Sequence, residues 1–349
     1  MFCLTLNIIC LILFFQMDHR YKPKVSFLIP VLNEEKTIAK SLDSILNIDY
    51  PNEKKEILLA LGKSSDNTDV IIEKYKSKYP TIVRTFENHS GNTSIGRNIC
   101  IDNATGEFLM NYSAHAIAER NLLKILLGKH QSANINLASV GCANISPEKQ
   151  NFVAETASTV FSSFIGGKNV FVQNAEFSEE RFTDHISFAL YKKNPVIEVG
   201  MFDPEFWCGQ DAELDLRLIQ KGYKILFTPE TRVYHYKRST LKALFKQMYR
   251  YGVARAKMCK KHPKTLKPFH LIGSSFIVGI ILIILLMVFR FIPIWIPTFM
   301  LLLYVAVSMI STFTVGKKLL GIIASPIFAF IIHIGYGLGF IRGLFNRKL

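Results

Sequence analysis

The chain is expected to be an α/β protein: a mainly parallel sheet with flanking helices, followed by C-terminal transmembrane helices. Three observations lead there. Short apolar runs alternate with amphipathic segments from Val25 to Tyr112. Three long apolar stretches close the chain, near 269–289, 292–310 and 319–341, and each is long enough to cross a bilayer. Charge divides at the same place. Residues 1–230 hold 24 Lys/Arg against 27 Asp/Glu, a net of −3, whereas residues 231–349 hold 18 Lys/Arg and no acid. The net charge of +15 therefore resides beside the apolar stretches. That placement points to anionic membrane lipids as the partner of the basic residues, and to no nucleic acid.

Each element follows from local pattern. VSFLIPV (25–31) reads as a buried strand, and EKTIAKSLDSILN (35–47) as a helix with Ile38, Leu42 and Ile45 at helical spacing. EILLAL (56–61) is a second strand. SDNTDVIIEKYKSKY (65–79) opens with capping residues and continues as a helix. TIVRTFE (81–87), SIGRNICIDNA (94–104) and EFLMNY (107–112) read as strand, helix and strand. Ligands of open parallel sheets bind beyond the carboxyl ends of the strands, so the turns after Val31, Leu61 and Tyr112 should face one crevice.

A catalytic domain is expected over 24–235, a basic amphipathic interfacial helix and linker over 236–268, three membrane segments over 269–341, and a basic tail over 342–349. Residues 1–16 are apolar but fall short of the roughly 20 residues a span needs. They fit a marginal anchor, an interfacial segment, or an over-extended start preceding Met17. The charge bias places 237–268 in the cytoplasm, Arg290 outside and Lys317–Lys318 inside. Three full spans would then leave Arg342, Arg347 and Lys348 outside, against the bias; either the third segment is re-entrant or the bias is overridden. The six cysteines form no CxxC pair, which fits a reducing compartment.

Four places offer chemistry. IPVLNEE sets Pro30, Asn33 and Glu34 at the end of the first strand, suited to a nucleotide base or ribose, or to a plain helix cap. LALGKSSDNT provides Leu61 and an anion-tolerant turn at Ser65. WCGQDAELDLRLIQ breaks at Gly209 and opens a helix with Gln210, Asp211, Glu213 and Asp215, expected to bury a stripe of Leu214, Leu216 and Leu218. A carboxylate there can accept a proton from an attacking hydroxyl; dipole compensation is the plainer reading. In 239–261, Leu241, Leu244, Phe245, Met248 and Gly252 share one face, with Lys242, Lys246 and Arg250 on or near the other.

In order and spacing these pieces resemble the family-2 glycosyltransferases of the GT-A fold, over about residues 24–255. VSFLIPVLNEE resembles the family's nucleotide-binding turn, GRNICIDNATGEFLMN the approach to its metal motif, and WCGQDAELDL its acceptor region. The QMYRY run, Gln247 to Tyr251, is similar to the membrane-proximal QxxRW element with Tyr for Trp. The whole looks closest to membrane-bound exopolysaccharide enzymes of the succinoglycan type.

The resemblance implies a nucleotide-diphospho-sugar donor held by Pro30, Asn33, Glu34, Leu61, Ser65, Arg97 and Ser113. It implies Asp211 as catalytic base, and an acceptor or diphosphate region at Gln210, Glu213, Gln247, Arg250 and Tyr251. Two departures stand out. The base-binding Asp after the second strand is Leu61 or Gly62, and the metal-binding Asp pair is Ser113 and His115. A divalent cation, magnesium or manganese, would then rest on His115 and a distal His235, or cationic side chains would neutralise the leaving diphosphate instead. The expected activity is inverting transfer to a lipid-linked saccharide acceptor, from a multi-pass cell-membrane protein with its catalytic domain cytoplasmic. A catalytically silent scaffold is the alternative, and a polymerising synthase is disfavoured by the small membrane bundle. The loop 162–188, with Asp184 and His185, is expected to shape the pocket.

Overall fold

A computed structural model describes residues 22–133, 135–147, 150–167, 179–236, 239–316 and 318–346. The expectations for residues 1–16, for 168–178 of the 162–188 loop and for the end of the tail lie outside those residues.

Strand β1 (Val25–Val31) is flanked in parallel by β2 (Lys55–Leu61) and β4 (Phe108–Asn111), and β3 (Val83–Glu87) extends the parallel half beyond β2. Between them run helices α1 (Ile38–Leu46), α2 (Thr68–Lys78) and α3 (Thr93–Asp102). The other half is mixed. β8 (Ala189–Lys192) joins β4 antiparallel, then come β6 (Leu137–Ile145), β9 (Lys224–His235) and β5 (Ala116–Ala118), with β7 (Arg181–Phe182) beside β9. The register Val31↔Leu61 and Leu28↔Asn111 brings the ends of β1, β2 and β4 to one edge. β8 runs the opposite way, so the residues just before Ala189 reach that same edge.

Both sheet faces are covered. Phe27, Ile29, Ile57 and Leu59 pack under α1 and α4 (Leu122–Ser132), whereas Leu28, Leu58, Leu109 and Tyr191 pack under α3 and α7 (Gln210–Gln220). Lys55 is buried, and its Nζ donates to the carbonyls of Ile45, Leu46 and Ile48, satisfying the end of α1. Burial lowers its pKa to about 8.

The remaining helices are α5 (Phe152–Ser162), α6 (Lys193–Glu198), α8 (Leu241–Lys261), α9 (Ile272–Val288), α10 (Trp295–Phe313) and α11 (Leu319–Phe345). Three apolar helical stretches, Pro268–Val288, Trp295–Phe313 and Leu319–Phe345, are long enough to cross a membrane. Helix α8 differs from expectation. Much of its apolar face, read as interfacial, is covered by α11, since Leu244, Met248 and Ala256 share a core with Phe328, Ile332, Tyr336 and Phe340, whereas Leu241 and Phe245 stay exposed. Glycines allow this approach. A Cβ on Gly252 would stand 2.1 Å from the Tyr336 carbonyl oxygen, and one on Gly339 would stand 2.0 Å from that of Tyr249. An apolar stripe is equally satisfied by lipid or by another apolar helix, so its sequence alone could not name the partner.

Candidate active site

The first two turns lock together. Asn33 sits in the left-handed region at φ 56°, and its Oδ1 accepts from the Ser65 backbone N–H at 2.7 Å. Ser64 Oγ accepts from the Asn33 N–H, and Thr68 Oγ1 from the Glu34 N–H. Asp66 accepts from the N–H and hydroxyl of Thr68 and from the Glu35 N–H, which holds its carboxyl below the usual range. Pro30 and Leu61 occupy the last rungs of β1 and β2 beneath this pair of turns.

The third turn meets the first. His115 Nδ1 lies 2.8 Å from Glu34 Oε1 and 3.3 Å from Ser113 Oγ. A carboxylate only accepts, so the Nδ1 of His115 is the donor in this contact. The His235 ring, at the end of β9, lies 4.7 Å from that of His115. Two imidazoles with a carboxylate behind one of them suit manganese better than magnesium. Among the described residues no three His, Cys, Asp or Glu side chains are grouped to hold a metal by themselves. A cation here would need donor diphosphate oxygens to complete its shell.

Asp211 approaches from the far side of the sheet. Helix α3 holds the preceding loop: Asn92 Nδ2 donates to Pro204 O, Ser94 Oγ to Phe206 O, and Asn98 exchanges two bonds with Phe202. Gly209, at φ 69°, turns the chain into α7, a conformation that costs glycine little. Asp211 then stands at the helix start, 18% exposed, its Oδ1 accepting from the Ala212 N–H. Arg97 on α3 is buried, stacks 5.2 Å from the Phe202 ring and is electrostatically coupled to Asp211. Its Nε and Nη1 have no hydrogen-bond partner among the described residues.

The residue that completes this corner is His185. Its Nε2 lies 3.8 Å from Asp211 Oδ2, and its Nδ1 lies 2.8 Å from Asp215 Oδ2. Asp215 is fully buried and also accepts from the Ile186 N–H and the Tyr191 hydroxyl. The two carboxylates raise the His185 pKa against the effect of its burial. Asp211 and Asp215 are four residues apart, so a single helix face presents both. That spacing was the sequence signal for Asp215, which otherwise reads as one more acid near a helix start. The short segment from His185 to Phe188 ties the two halves together, because Phe188 packs 5.5 Å from the His235 ring.

Other expectations fare differently. Glu213 is fully buried, and its carboxylate binds Arg217 in a fork, Lys261 at 2.7 Å and His262 at 3.1 Å. It anchors α8 to α7, and its burial among those cations leaves no exposed carboxylate surface. Leu216 is only half-buried, because Glu213 and Asp215 take the inner positions beside Leu214 and Leu218. Gln210 is buried beside Asp211. Gln247 donates to the Tyr251 hydroxyl and Arg250 is exposed on α8; no described contact joins these three to Asp211.

Comparison with known proteins now bears on this geometry. Residues 26–200 match the profile of glycosyl transferase family 2, and residues 134–310 that of glycosyl transferase family group 2. A Methanococcus voltae protein is 32% identical over 326 residues, 92% of this chain and 97% of that relative. This chain belongs to glycosyl transferase family 2. The Methanococcus voltae relative is named as a dolichyl N-acetyl-α-D-glucosaminyl phosphate 3-β-D-2,3-diacetamido-2,3-dideoxy-β-D-glucuronosyltransferase. A poly-β-1,6-N-acetyl-D-glucosamine synthase of Staphylococcus aureus is 25% identical over 65% of this chain, a match spanning 53% of the synthase. Among solved structures, a Pyrobaculum calidifontis mannosyltransferase with GDP-Man and Mn2+ superposes with a TM-score of 0.53 at 18% identity, over 71% of this chain and 66% of that one. At that identity the likeness concerns the fold alone, and the fold is GT-A.

Proposed function

We propose that this glycosyltransferase moves one sugar from a nucleotide-diphospho-sugar to a lipid-linked saccharide at a membrane surface, inverting the anomeric centre. The observation that supports this most is Asp211, part-exposed at a helix start and backed by His185 and Asp215, at the edge where β1, β2 and β4 end. In this reading residues 24–235 are the catalytic domain, 236–268 its basic linker, and 269–341 the membrane part. The Methanococcus voltae relative, named for a dolichyl-phosphate-linked sugar, supports the acceptor class.

Asn33 and Ser65 would orient the nucleoside, and Arg97 with its two unpartnered nitrogens would face the donor's negative charge. A divalent cation held by His115 and His235 would stabilise charge on the leaving diphosphate. Glu34 fixes the His115 ring for that task. Asp211 removes the acceptor hydroxyl proton as the oxygen bonds to the anomeric carbon and the carbon–oxygen bond to the diphosphate breaks. The nucleoside diphosphate leaves, and Asp211 returns the proton to solvent. His185, held by Asp215, keeps the Asp211 carboxylate aimed. Exposed Lys242, Lys246 and Arg250 on α8 suit anionic lipid headgroups on the cytoplasmic side.

Membranes carrying the full chain, incubated with a panel of labelled nucleotide-sugars, test the reading. One sugar added to extractable lipid supports it. A ladder of products indicates a polymerising synthase instead, and neither transfer nor donor hydrolysis indicates a silent scaffold.

A further inference from the structure

Helix α11 is apolar enough to span, yet both of its ends meet elements of the catalytic unit. At its start Lys318 pairs with Glu155 of α5, and a core of Ala157, Val160, Phe328 and Ala329 continues that contact. At its end Lys260 Nζ of α8 donates to the carbonyls of Gly343 at 2.7 Å and Asn346 at 3.1 Å. Helix α8 is itself bound to the catalytic unit, through Lys257 to Glu205 and Lys261 to Asp203 and Glu213. A 27-residue helix is about 40 Å long, more than the roughly 30 Å hydrocarbon core. If α11 crossed the bilayer, one of these charged clusters would have to cross with it, and α8 with Lys257, Lys260 and Lys261 would lie in hydrocarbon.

The other two helices are arranged differently. Phe276 near the start of α9 stacks 5.2 Å from Tyr304 of α10, so the pair forms a hairpin with Arg290 at its tip. α11 crosses only the base of that hairpin: Ser274 Oγ donates to Gly337 O, Phe276 packs on His333, and Ser325 Oγ donates to Ser308 O. The rest of α9 and α10 is bare apolar surface, whereas α11 is covered along one face and exposes one stripe. Leu319, Ile323, Ile327, Phe330, Leu338 and Phe345 recur at helical spacing along it.

We propose that α11 lies in the plane of the membrane surface, on the catalytic unit's side, with its exposed stripe in lipid and only the α9–α10 hairpin crossing. The occupant of the stripe is lipid because the stripe runs into the bare surface of the hairpin. The charge conflict then disappears. Residues 237–268, Lys317–Lys318 and the tail with Arg342, Arg347 and Lys348 share one side, and Arg290 alone lies opposite. The inference is independent of the reaction assigned above.

Variants of the full chain that each add one cysteine test it, with the unsubstituted chain and its six native cysteines as blank and a membrane-impermeant maleimide as probe. Arg290→Cys is expected to label in intact cells. Asn346→Cys and, on exposed α2, Asp69→Cys are expected to label only after permeabilisation. Labelling of Asn346→Cys in intact cells, as strong as that of Arg290→Cys, would overturn the proposal. A second measurement reads depth. Nitroxides at Ile327→Cys and Leu338→Cys, in vesicles of mixed zwitterionic and anionic phospholipid, should report equal depth; a spanning helix separates them by about 16 Å. Low oxygen accessibility at both sites, with coupling between labels, would mean that a second copy and not lipid covers the stripe.

Discussion

The crossing of α8 and α11 gives the sharpest prediction. Gly252→Ala adds one carbon where the Tyr336 carbonyl oxygen would stand at 2.1 Å and the Phe340 nitrogen at 2.6 Å. Both are backbone atoms, so no rotamer can yield, and the helices must part by about 1.4 Å to restore ordinary contact near 3.5 Å. Overpacking of this kind costs about 1–3 kcal/mol, and alanine's better helix propensity recovers about 1 kcal/mol. The expected net loss is about 0–2 kcal/mol, toward the upper end because both contacts are with backbone. Gly279→Ala is the control, since a Cβ there meets nothing within 4 Å and only the propensity gain remains. Thermal inactivation of the full chain in detergent should fall by several degrees for Gly252→Ala and stay level or rise for Gly279→Ala. Transfer should fall with it, because α8 carries Lys257 and Lys261 to the loop that delivers Asp211. Equal midpoints for the two variants would refute the close crossing.

Three further outcomes are expected. Glu213→Gln strands Arg217 and Lys261 beside a neutral, buried amide and should destabilise by about 3 kcal/mol, read as an earlier unfolding midpoint. His185, with its folded pKa raised above the unfolded value, contributes stability that is full below about pH 6.5 and lost as pH rises through the folded value. The charged groups facing it are Asp211, Asp215 and Arg255, and His185→Asn should flatten that limb of a stability–pH profile. Titrating manganese against a chelator should abolish turnover in the parent. His115→Ala should raise the manganese needed by about tenfold or more, whereas indifference to both would favour direct cationic neutralisation.

Much of this was legible in residue patterns. The parallel half of the sheet follows from four apolar runs separated by amphipathic helices, and its registered ends explain why Asn33, Ser65 and His115 converge. The mixed half escaped: β5, β7 and β8 have only two to four residues and little alternation to mark a strand, and β6 and β9, with nine and twelve, were likewise not read. The motif drew attention to Asp211, whereas Glu213 and Asp215 read as further acids near a helix start. Only the partners on distant segments, Lys261 for one and His185 with Tyr191 for the other, distinguish an anchor from a support for the base. The role of α11 was hidden for a related reason, since length and hydropathy are the same for a helix that crosses lipid and one that lies on it.

One comparison tests whether Asp211 is the base. Donor-dependent transfer is measured for Asp211→Asn beside His185→Gln, with donor binding followed separately. The account expects Asp211→Asn to lose at least about a hundredfold in kcat with donor affinity retained, and His185→Gln to lose less. Transfer by Asp211→Asn at the parent rate would contradict it.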